Sequence, residues 1–382
     1  YQAATKIAIE RLESITTPCS IDDTDLLSRV VATSLTGRAA EAECERFGEM
    51  MVEALGHVSH VDGNRDTCDA EDVLFDKSGE GGLADSRLIR GTHWKQRIPL
   101  ERMTGLREDV SIAILNCDLK QRESKRDTEI ELTTADDLEI FIAAQEALNE
   151  KMADQLIASG ADVFCCSGEV ERAVLHRLAL ADKVVIADLD IKQLRHIARA
   201  SGGRMVEHSP DLSLSDLGHA GSISCKRRPA TEEVQDRIII DGCEGPLVTC
   251  LIGSSMGTEE VIRGLYDSLR ACTLAISEGT LLHGGGSAHM SAAFSVKEAA
   301  EKVADRTRLG MEAFARALEA IPWMLASNAG VDPLDALLEL RAQARASDEP
   351  VGITIDGSIG DVTDVLEPAE NLLHGLTTAS ET

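Results

Sequence analysis

Three consecutive glycines, Gly284, Gly285 and Gly286, form the part of this sequence that most resembles a ligand-binding turn. They follow a short apolar run at 280–283 (TLLH), which predicts a strand, and they precede a segment that predicts a helix. Backbone amides at such a turn can cradle a phosphate, because a residue without a Cβ allows close approach. The turn matches neither a P-loop nor a G-x-G-x-x-G fingerprint, and a tight strand–helix connection is its commoner meaning.

One carboxylate could act beside such a turn. Asp267 lies in the stretch EEVIRGLYDSLRA, which predicts an amphipathic helix that ends shortly before the glycines. An aspartate on such a helix is most often a solvated surface group. Beside a bound nucleotide, the same carboxylate would orient or deprotonate the water that attacks the terminal phosphate. The residues alone leave both interpretations open.

No other pattern indicates a catalytic or metal site. The sequence has no G-x-S-x-G and no H-E-x-x-H motif, and its ten cysteines form no C-x-x-C pair. Scattered cysteines in apolar stretches predict reduced, buried thiols. His57 and His60 are the one close histidine pair, and no cysteine or acidic cluster accompanies them at metal-ligand spacing, so we expect no metal site.

The net charge of the chain argues against one class of partner, nucleic acids. The chain carries 66 acidic and 38 basic residues, a formal net charge of −28, which disfavours a nucleic-acid partner. An acidic, lysine-poor surface suits a high-salt cytoplasm, and an ordinary acidic cytosolic protein is the alternative. No apolar run approaches the length of a bilayer span and no signal peptide opens the chain, so we expect a cytoplasmic protein without a membrane partner.

The elements that would position these residues change in type along the chain. The first part predicts helices, and apolar runs at 111–117, 161–166 and 183–190 predict buried strands that alternate with helices. The chain is predicted to be helical again from about 254 to 346, with a break near Leu309 and Gly310. An α/β domain inserted into a helical body explains this order.

A long helix is predicted between the first two strands. Thr134 and Asp137 resemble a capping box at its start, and Gly160 closes it. The apolar face of such a helix either packs on its own domain or serves as a contact surface.

Seven stretches of the sequence match, in order, motifs of one family. They are ATSLTGRAAE (32–41), DKSGEGGLADSRLIRG (76–91), SIAILNCDL (111–119), DTEIEL (127–132), LSLSDLGHAG (212–221), YDSLRACTLAISEGTLLHGGGSAHM (266–290) and SNAGVDPLDALLELRA (327–342). The sequence therefore resembles the group II chaperonins, the thermosome and TRiC family, across essentially its whole length.

The resemblance implies a multidomain α/β and α+β architecture. A mainly helical equatorial domain, present in part, would comprise 1–20 and 281–382, and an α+β intermediate domain 21–92 and 245–280. The α/β apical domain would comprise 93–244. Its helical protrusion near 118–158 would serve as a built-in lid, which favours the contact-surface interpretation of the long helix.

The resemblance also implies a nucleotide site with ATP and Mg²⁺ as cofactors. Asp267 would be the catalytic residue that activates the hydrolytic water, and Arg38 stands where family members carry a lysine that senses the γ-phosphate. The acidic ribose contact of the family aligns with Val362, so Asp361 would substitute for it. The remaining nucleotide contacts would be Gly284, Gly285, Gly286 and Gly352.

Some family features are absent from this sequence. The G-D-G-T-T-T phosphate loop, whose aspartate holds the metal, is missing, and the chain begins at Tyr1 rather than Met. The stretches LIGSSMG (251–257) and TDVLEP (363–368) also depart from the family pattern. We therefore expect either an N-terminally truncated fragment or a divergent paralogue, in which ATP binding is weak.

The expected function is that of an ATP-dependent chaperonin ring subunit. Its partners would be other chaperonin subunits in a double ring and non-native client proteins. The alternative is a subunit or fragment that binds unfolded proteins without hydrolysing ATP. An unrelated nucleotide-dependent metabolic enzyme is disfavoured, because the α/β segment lacks a dinucleotide fingerprint.

Overall fold

The computed structural model describes residues 1–62, 65–120, 135–227, 236–253, 257–347 and 349–381, and only the backbone at 61–62, 65–66 and 135–138. The described α-helices are α1 (Gln2–Ser14), α2 (Thr24–Leu35), α3 (Cys44–Val58), α4 (Ala135–Ala158), α5 (Arg172–Leu180), α6 (Ile191–Ser201), α7 (Thr258–Glu278), α8 (Ser287–Glu301), α9 (Thr307–Asn328), α10 (Pro333–Ala346) and α11 (Ala369–Glu381).

The described strands are β1 (Thr17–Pro18), β2 (His60–Asp62), β3 (Arg65–Thr67), β4 (Val73–Lys77), β5 (Arg87–Ile89), β6 (Thr92–Lys95), β7 (Gly105–Leu115), β8 (Val163–Cys166), β9 (Val184–Ile186), β10 (Met205–Val206), β11 (Gly218–Lys226), β12 (Arg237–Asp241), β13 (Val248–Ile252), β14 (Thr280–His283), β15 (Val351–Ile353), β16 (Ile359–Asp361) and β17 (Leu366–Pro368).

The chain folds into two compact units, one inserted into the other. The flanking unit consists of Tyr1–Ala70, Gly79–Asp85 and Gly253–Thr382, and the inserted unit of Glu71–Ser78 and Ser86–Ile252. Because the N-terminal and C-terminal helical parts fold together, the insertion expected from the element order is confirmed, as is the multidomain α/β fold class. The finer division into equatorial, intermediate and apical domains remains a prediction.

The inserted unit is built on a seven-stranded sheet. Its strands follow the order β6-β12-β11-β7-β8-β9, and β10 also pairs with β7. The three predicted apolar strands are β7, β8 and β9, which are parallel neighbours. All four residues of β8 are buried, as expected of a strand covered on both faces.

Local signals fix the helices of the inserted unit. Asp190 and Gln193 form a capping box at the start of α6, and Gly202 ends the helix with a φ of +72°. The predicted long helix is α4, but its proposed capping box at Thr134 and Asp137 lies outside the described side chains. Ala153 of α4 is buried in the core, whereas Ile140 is 68% exposed, so among the described side chains of α4 those of the C-terminal part pack on their own unit.

Among the described residues, two hydrophobic clusters hold five helices of the flanking unit together. One joins α1, α8, α9 and α11, and the other joins α8, α9, α10 and β15. A small antiparallel sheet in the order β1-β14-β17 lies in the same unit. None of the described helices is both long enough and apolar enough to span a lipid bilayer.

The predicted break near Leu309 and Gly310 was misplaced. Helix α8 ends at Glu301 and α9 begins at Thr307, so Gly310 lies inside α9. The Asp305 carboxylate accepts a hydrogen bond of 2.7 Å from the N–H of Thr307, the first residue of the new helix. A single glycine inside a helix costs only about 1 kcal/mol, which the packing of α9 offsets.

A buried carboxylate connects three helices of the flanking unit. Glu319 of α9 accepts hydrogen bonds from Lys297 Nζ of α8 at 2.5 Å and from Arg341 Nε and Nη2 of α10 at 2.9 and 2.7 Å. Its side chain is only 3% exposed, so two cations offset the desolvation of one anion. This triad fixes α8, the helix that follows the glycine turn, against its neighbours.

Candidate nucleotide site

The triple-glycine turn joins β14 to α8. Gly285 and Gly286 have φ angles of +60° and +78°, which L side chains rarely adopt. The Gly284 N–H donates to the Val365 carbonyl at 2.8 Å, and the Gly285 carbonyl accepts from the Ile353 N–H at 2.8 Å. Within the described residues, the N–H groups of Gly285 and Gly286 have no hydrogen-bond acceptor. Two free donors therefore lie at the N-terminus of α8, where an anion is favoured.

Packing against the protein itself also requires glycine here. A Cβ on Gly285 would lie 2.9 Å from both the Ile353 carbonyl oxygen and Val362 Cγ1. A Cβ on Gly352 would lie 2.8 Å from the Gly285 carbonyl oxygen. The structure thus brings the predicted contacts Gly352 and Gly284 to Gly286 together, and both earlier interpretations, tight connection and phosphate cradle, are compatible with the geometry.

Asp361 lies at the edge of the same cluster. It ends β16 opposite Val351, and its carboxylate accepts from the Thr363 N–H at 2.9 Å and from the Thr363 hydroxyl at 2.5 Å. The hydrogen bond from the Thr363 hydroxyl lowers the pKa of Asp361, so the exposed carboxylate is charged at neutral pH. The neighbouring Val362 is buried and forms the wall against Gly285 and Gly352.

His283, which sequence reasoning did not single out, precedes the turn. Burial lowers the pKa of its imidazole, although hydrogen bonds to the backbone of Val362 and Thr363 and the charge of Asp361 oppose this. Its Nδ1 atom is buried, and no partner for it exists among the described residues. Because His283 is neutral, the positive potential at the turn comes from the backbone N–H groups and not from the imidazole.

Asp267 lies in α7, as predicted, and forms an ion pair with Arg38. The distance from Arg38 Nη1 to Asp267 Oδ2 is 2.7 Å, and the two side chains are 34% and 44% exposed. Arg38 follows Gly37, whose φ is +73°, and the Arg38 N–H donates to the Leu35 carbonyl at 3.1 Å just after α2. The two predicted site residues therefore meet although 229 positions separate them.

The ion pair and the glycine turn are separate groups joined by one short segment. No described hydrogen bond or ion pair links Arg38 or Asp267 directly to the turn. Val365 holds Gly284 through its carbonyl, and the next residue, Leu366, donates its N–H to the Thr33 hydroxyl of α2 at 3.1 Å. Asp364 pairs with Arg29 of the same helix at 3.0 Å. The segment 364–366 therefore connects α2 with the turn.

Gly264 is a further site residue that sequence reasoning missed. It lies one helical turn before Asp267, and a Cβ on it would lie 3.3 Å from Arg38 Cδ and 3.5 Å from Arg38 Nη1. The only signal in the sequence is a glycine inside a helical pattern, which often has a packing reason. The partner that explains this glycine cannot be read from the pattern.

The sequence also led us to expect no metal site and buried, reduced thiols. Among the described residues, no group of three or more His, Cys, Asp or Glu side chains is arranged to hold a metal ion. None of the ten cysteines forms a disulfide and seven of them are buried, in agreement with the reduced, mostly buried thiols expected from the sequence. Burial raises the pKa of the Cys225 and Cys243 thiols to about 12.

Comparisons with known proteins agree with the fold. Residues 1–382 match the TCP-1/cpn60 chaperonin family. The chain is 31% identical to a thermosome subunit of Methanopyrus kandleri, over all of this chain and 70% of that subunit. It is 32% identical to thermosome subunit 1 of Haloferax volcanii, over all of this chain and 68% of that subunit.

A solved structure shares the architecture. The open-state monomer of a group II chaperonin from Methanococcoides burtonii is similar with a TM-score of 0.70 and 25% sequence identity, covering 100% of this chain and 89% of that one. The resemblance carried by the seven sequence stretches is therefore confirmed. The chain belongs to the TCP-1/cpn60 chaperonin family and is a chaperonin subunit of the group II type.

Proposed function

We propose that this chain is an ATP-dependent molecular chaperone, a chaperonin ring subunit that encloses and folds non-native proteins by using ATP hydrolysis. The observation that carries the proposal is the arrangement within the flanking unit. A glycine turn with two free N–H donors and an arginine–aspartate pair are joined through the segment 364–366. Anion-binding donors and a carboxylate are the two parts that phosphoryl transfer to water requires.

The nucleotide would lie at the turn. The free N–H groups of Gly285 and Gly286 and the N-terminus of α8 favour phosphate oxygens, and the lack of a side chain on Gly352 lets its backbone lie against the Gly285 carbonyl. Asp361 is a charged carboxylate beside Gly352 and would accept hydrogen bonds from the ribose hydroxyls.

Mg²⁺ would reach the site with the nucleotide. No carboxylate cluster for a metal exists among the described residues, and Mg²⁺ commonly binds through phosphates and one or two carboxylates. When bound, the ion would neutralise charge that develops on the phosphate oxygens. The residues of this chain would supply positioning and a proton acceptor.

Asp267 would orient the attacking water and accept its proton. Its side chain is 44% exposed, so water has access to the carboxylate, and the helix α7 holds it rigidly. Arg38 would contact the terminal phosphate with its charged guanidinium, in place of the lysine of other family members. These roles assign Asp267 to hydrolysis and Arg38, Gly284, Gly285, Gly286, Gly352 and Asp361 to nucleotide binding.

We propose that the chain comprises the three domains of a chaperonin subunit. We assign 1–20 and 281–382 to an equatorial domain, 21–92 and 245–280 to an intermediate domain, and 93–244 to an apical domain. The exposed side chains Ile140, Ile142 and Leu148 of α4 support a contact surface for non-native proteins. We place the protein in the cytoplasm, in a double ring with other chaperonin subunits.

A second function is a subunit that binds unfolded proteins without hydrolysing ATP. The exposed side chains Ile140, Ile142 and Leu148 of α4 favour it, because they could contact an unfolded chain without a nucleotide. Isothermal titration of the chain with ATP and Mg²⁺ separates the two functions, with Mg²⁺ alone and ADP as controls. Saturable heat from ATP supports the ATP-dependent subunit, and the absence of any heat supports the non-hydrolysing alternative.

A further inference from the structure

We propose that Arg38 is a latch on Asp267, which occupies the carboxylate until a nucleotide phosphate draws the guanidinium away. The inference rests on the proposed function and adds a resting state to it. Among the described residues, each of the two side chains has the other as its one ion-pair partner. The carboxylate proposed to activate water is therefore engaged while no nucleotide is bound.

The Arg38 side chain packs over Gly264 of α7. A Cβ on Gly264 would lie 3.3 Å from Arg38 Cδ and 3.3 Å from Leu35 Cδ2, and Leu35 is fully buried. The arginine stem thus crosses α7 at the one residue without a side chain in that turn of the helix. Glycine inside a helix costs about 1 kcal/mol relative to alanine, so a packing reason for it is needed. Gly264 is a positioning residue that allows the guanidinium to reach Asp267.

The charges of the two anions determine whether the Arg38 guanidinium binds the Asp267 carboxylate or a phosphate. A guanidinium binds carboxylates and phosphates with the same planar set of donors, and a terminal phosphate carries more negative charge than a carboxylate. The pair is partly exposed, and such pairs are weak enough to open. A nucleotide phosphate within reach of Arg38 would therefore take the guanidinium and leave the Asp267 oxygens free for water. Hydrolysis would then depend on the presence of the phosphate that is to be cleaved.

The test is a double-mutant cycle on ATP affinity, measured by calorimetry with Mg²⁺ present. Asp267→Asn removes the charge that holds Arg38, so ATP should bind about 1.5- to 5-fold more tightly, the factor that a partly exposed ion pair supplies. In an Arg38→Gln background the same change should have no effect, because nothing is left to release. Glu260→Gln, which removes one charge elsewhere on α7, should leave affinity unchanged in both backgrounds.

Gly264→Ala gives a second, independent arm. The added methyl group would lie 3.3 Å from Arg38 Cδ, so it should push the arginine stem outward, weaken the contact with Asp267 and tighten ATP binding in the same direction as Asp267→Asn. Gly310→Ala is the matched control, because Gly310 also lies inside a helix and no atom would lie within 4 Å of its added methyl group. It should leave ATP affinity unchanged.

The outcomes separate the latch from the function on which it rests. If Asp267→Asn tightens ATP binding equally with and without Arg38, the carboxylate only repels phosphate and the latch is wrong. An unchanged or weaker affinity of Asp267→Asn also overturns it. If the unaltered chain binds no ATP, the proposed function itself fails, and the latch fails with it.

Discussion

The Thr33 hydroxyl accepts a hydrogen bond of 3.1 Å from the backbone N–H of Leu366. Thr33 lies in the last turn of α2, five residues before Arg38, and Leu366 directly follows Val365, whose carbonyl holds Gly284. Two residues, Leu366 and Val365, therefore connect the Thr33 side chain of α2 with the glycine turn. If a ligand displaced the turn, α2 should therefore move with it, and Arg38, which follows α2, should move as well.

The glycine turn should tolerate no side chain at Gly285. Gly285→Ala adds left-handed strain of about 1–2 kcal/mol, and the Cβ contact at 2.9 Å with the Ile353 carbonyl and Val362 adds overpacking of about 1–3 kcal/mol. Gly330→Ala is the control, since Gly330 has a φ of +82° but no atom within 4 Å of an added Cβ. Urea denaturation of both variants measures the difference, and equal losses of stability would show that packing at the turn is unimportant.

The Glu319 triad should contribute measurably to stability. Glu319→Gln leaves Lys297 and Arg341 without their counter-charge, and because their side chains are 30% and 34% exposed, we expect a loss of about 1–3 kcal/mol. Glu312→Gln on the same helix breaks the exposed pair with Arg308 and should cost less than about 1 kcal/mol. Denaturation midpoints compare the two, and a smaller loss for Glu319→Gln than for Glu312→Gln would contradict the prediction.

The same triad predicts a pH dependence. Burial alone would raise the pKa of Glu319, but hydrogen bonds from Arg341 and Lys297 outweigh it and lower the pKa below the ordinary value of 4.5. A carboxylate with a lowered folded-state pKa stabilises the fold above its unfolded pKa, and this stabilisation is lost as the pH falls through the folded pKa. Between about pH 5 and pH 3, the stability difference between the unaltered chain and Glu319→Gln should shrink. A difference that is constant over this range would refute the assignment.

Much of the fold follows from local patterns in the sequence. The apolar runs at 111–117, 161–166 and 183–190 predicted the buried parts of β7, β8 and β9, and α6 lies between its capping residues Asp190 and Gly202. The helix break was misplaced because Gly310 suggested an interruption, whereas α9 already begins three residues earlier, at Thr307. Local propensity alone does not decide between a break at Gly310 and a helix start at Thr307, because the choice depends on how α9 packs.

The candidate site could be predicted only in part. Family motifs pointed to Asp267, Arg38 and the glycines, but their contacts join residues from opposite ends of the chain. No sequence pattern indicates that Gly264 lies under Arg38 or that Val365 holds Gly284. These relationships depend on how the two helical flanks fold together, which is tertiary information.

The most direct test of the central claim is ATP turnover by Asp267→Asn at saturating ATP and Mg²⁺, with Glu260→Gln on the same helix as the control. A carboxylate that positions water and accepts its proton contributes about 10²- to 10⁴-fold to the rate. We predict a loss of that size for Asp267→Asn while ATP still binds, and an unchanged rate for Glu260→Gln. If Asp267→Asn hydrolyses ATP as fast as the unaltered chain, Asp267 is not the residue that activates water and the proposed mechanism is wrong.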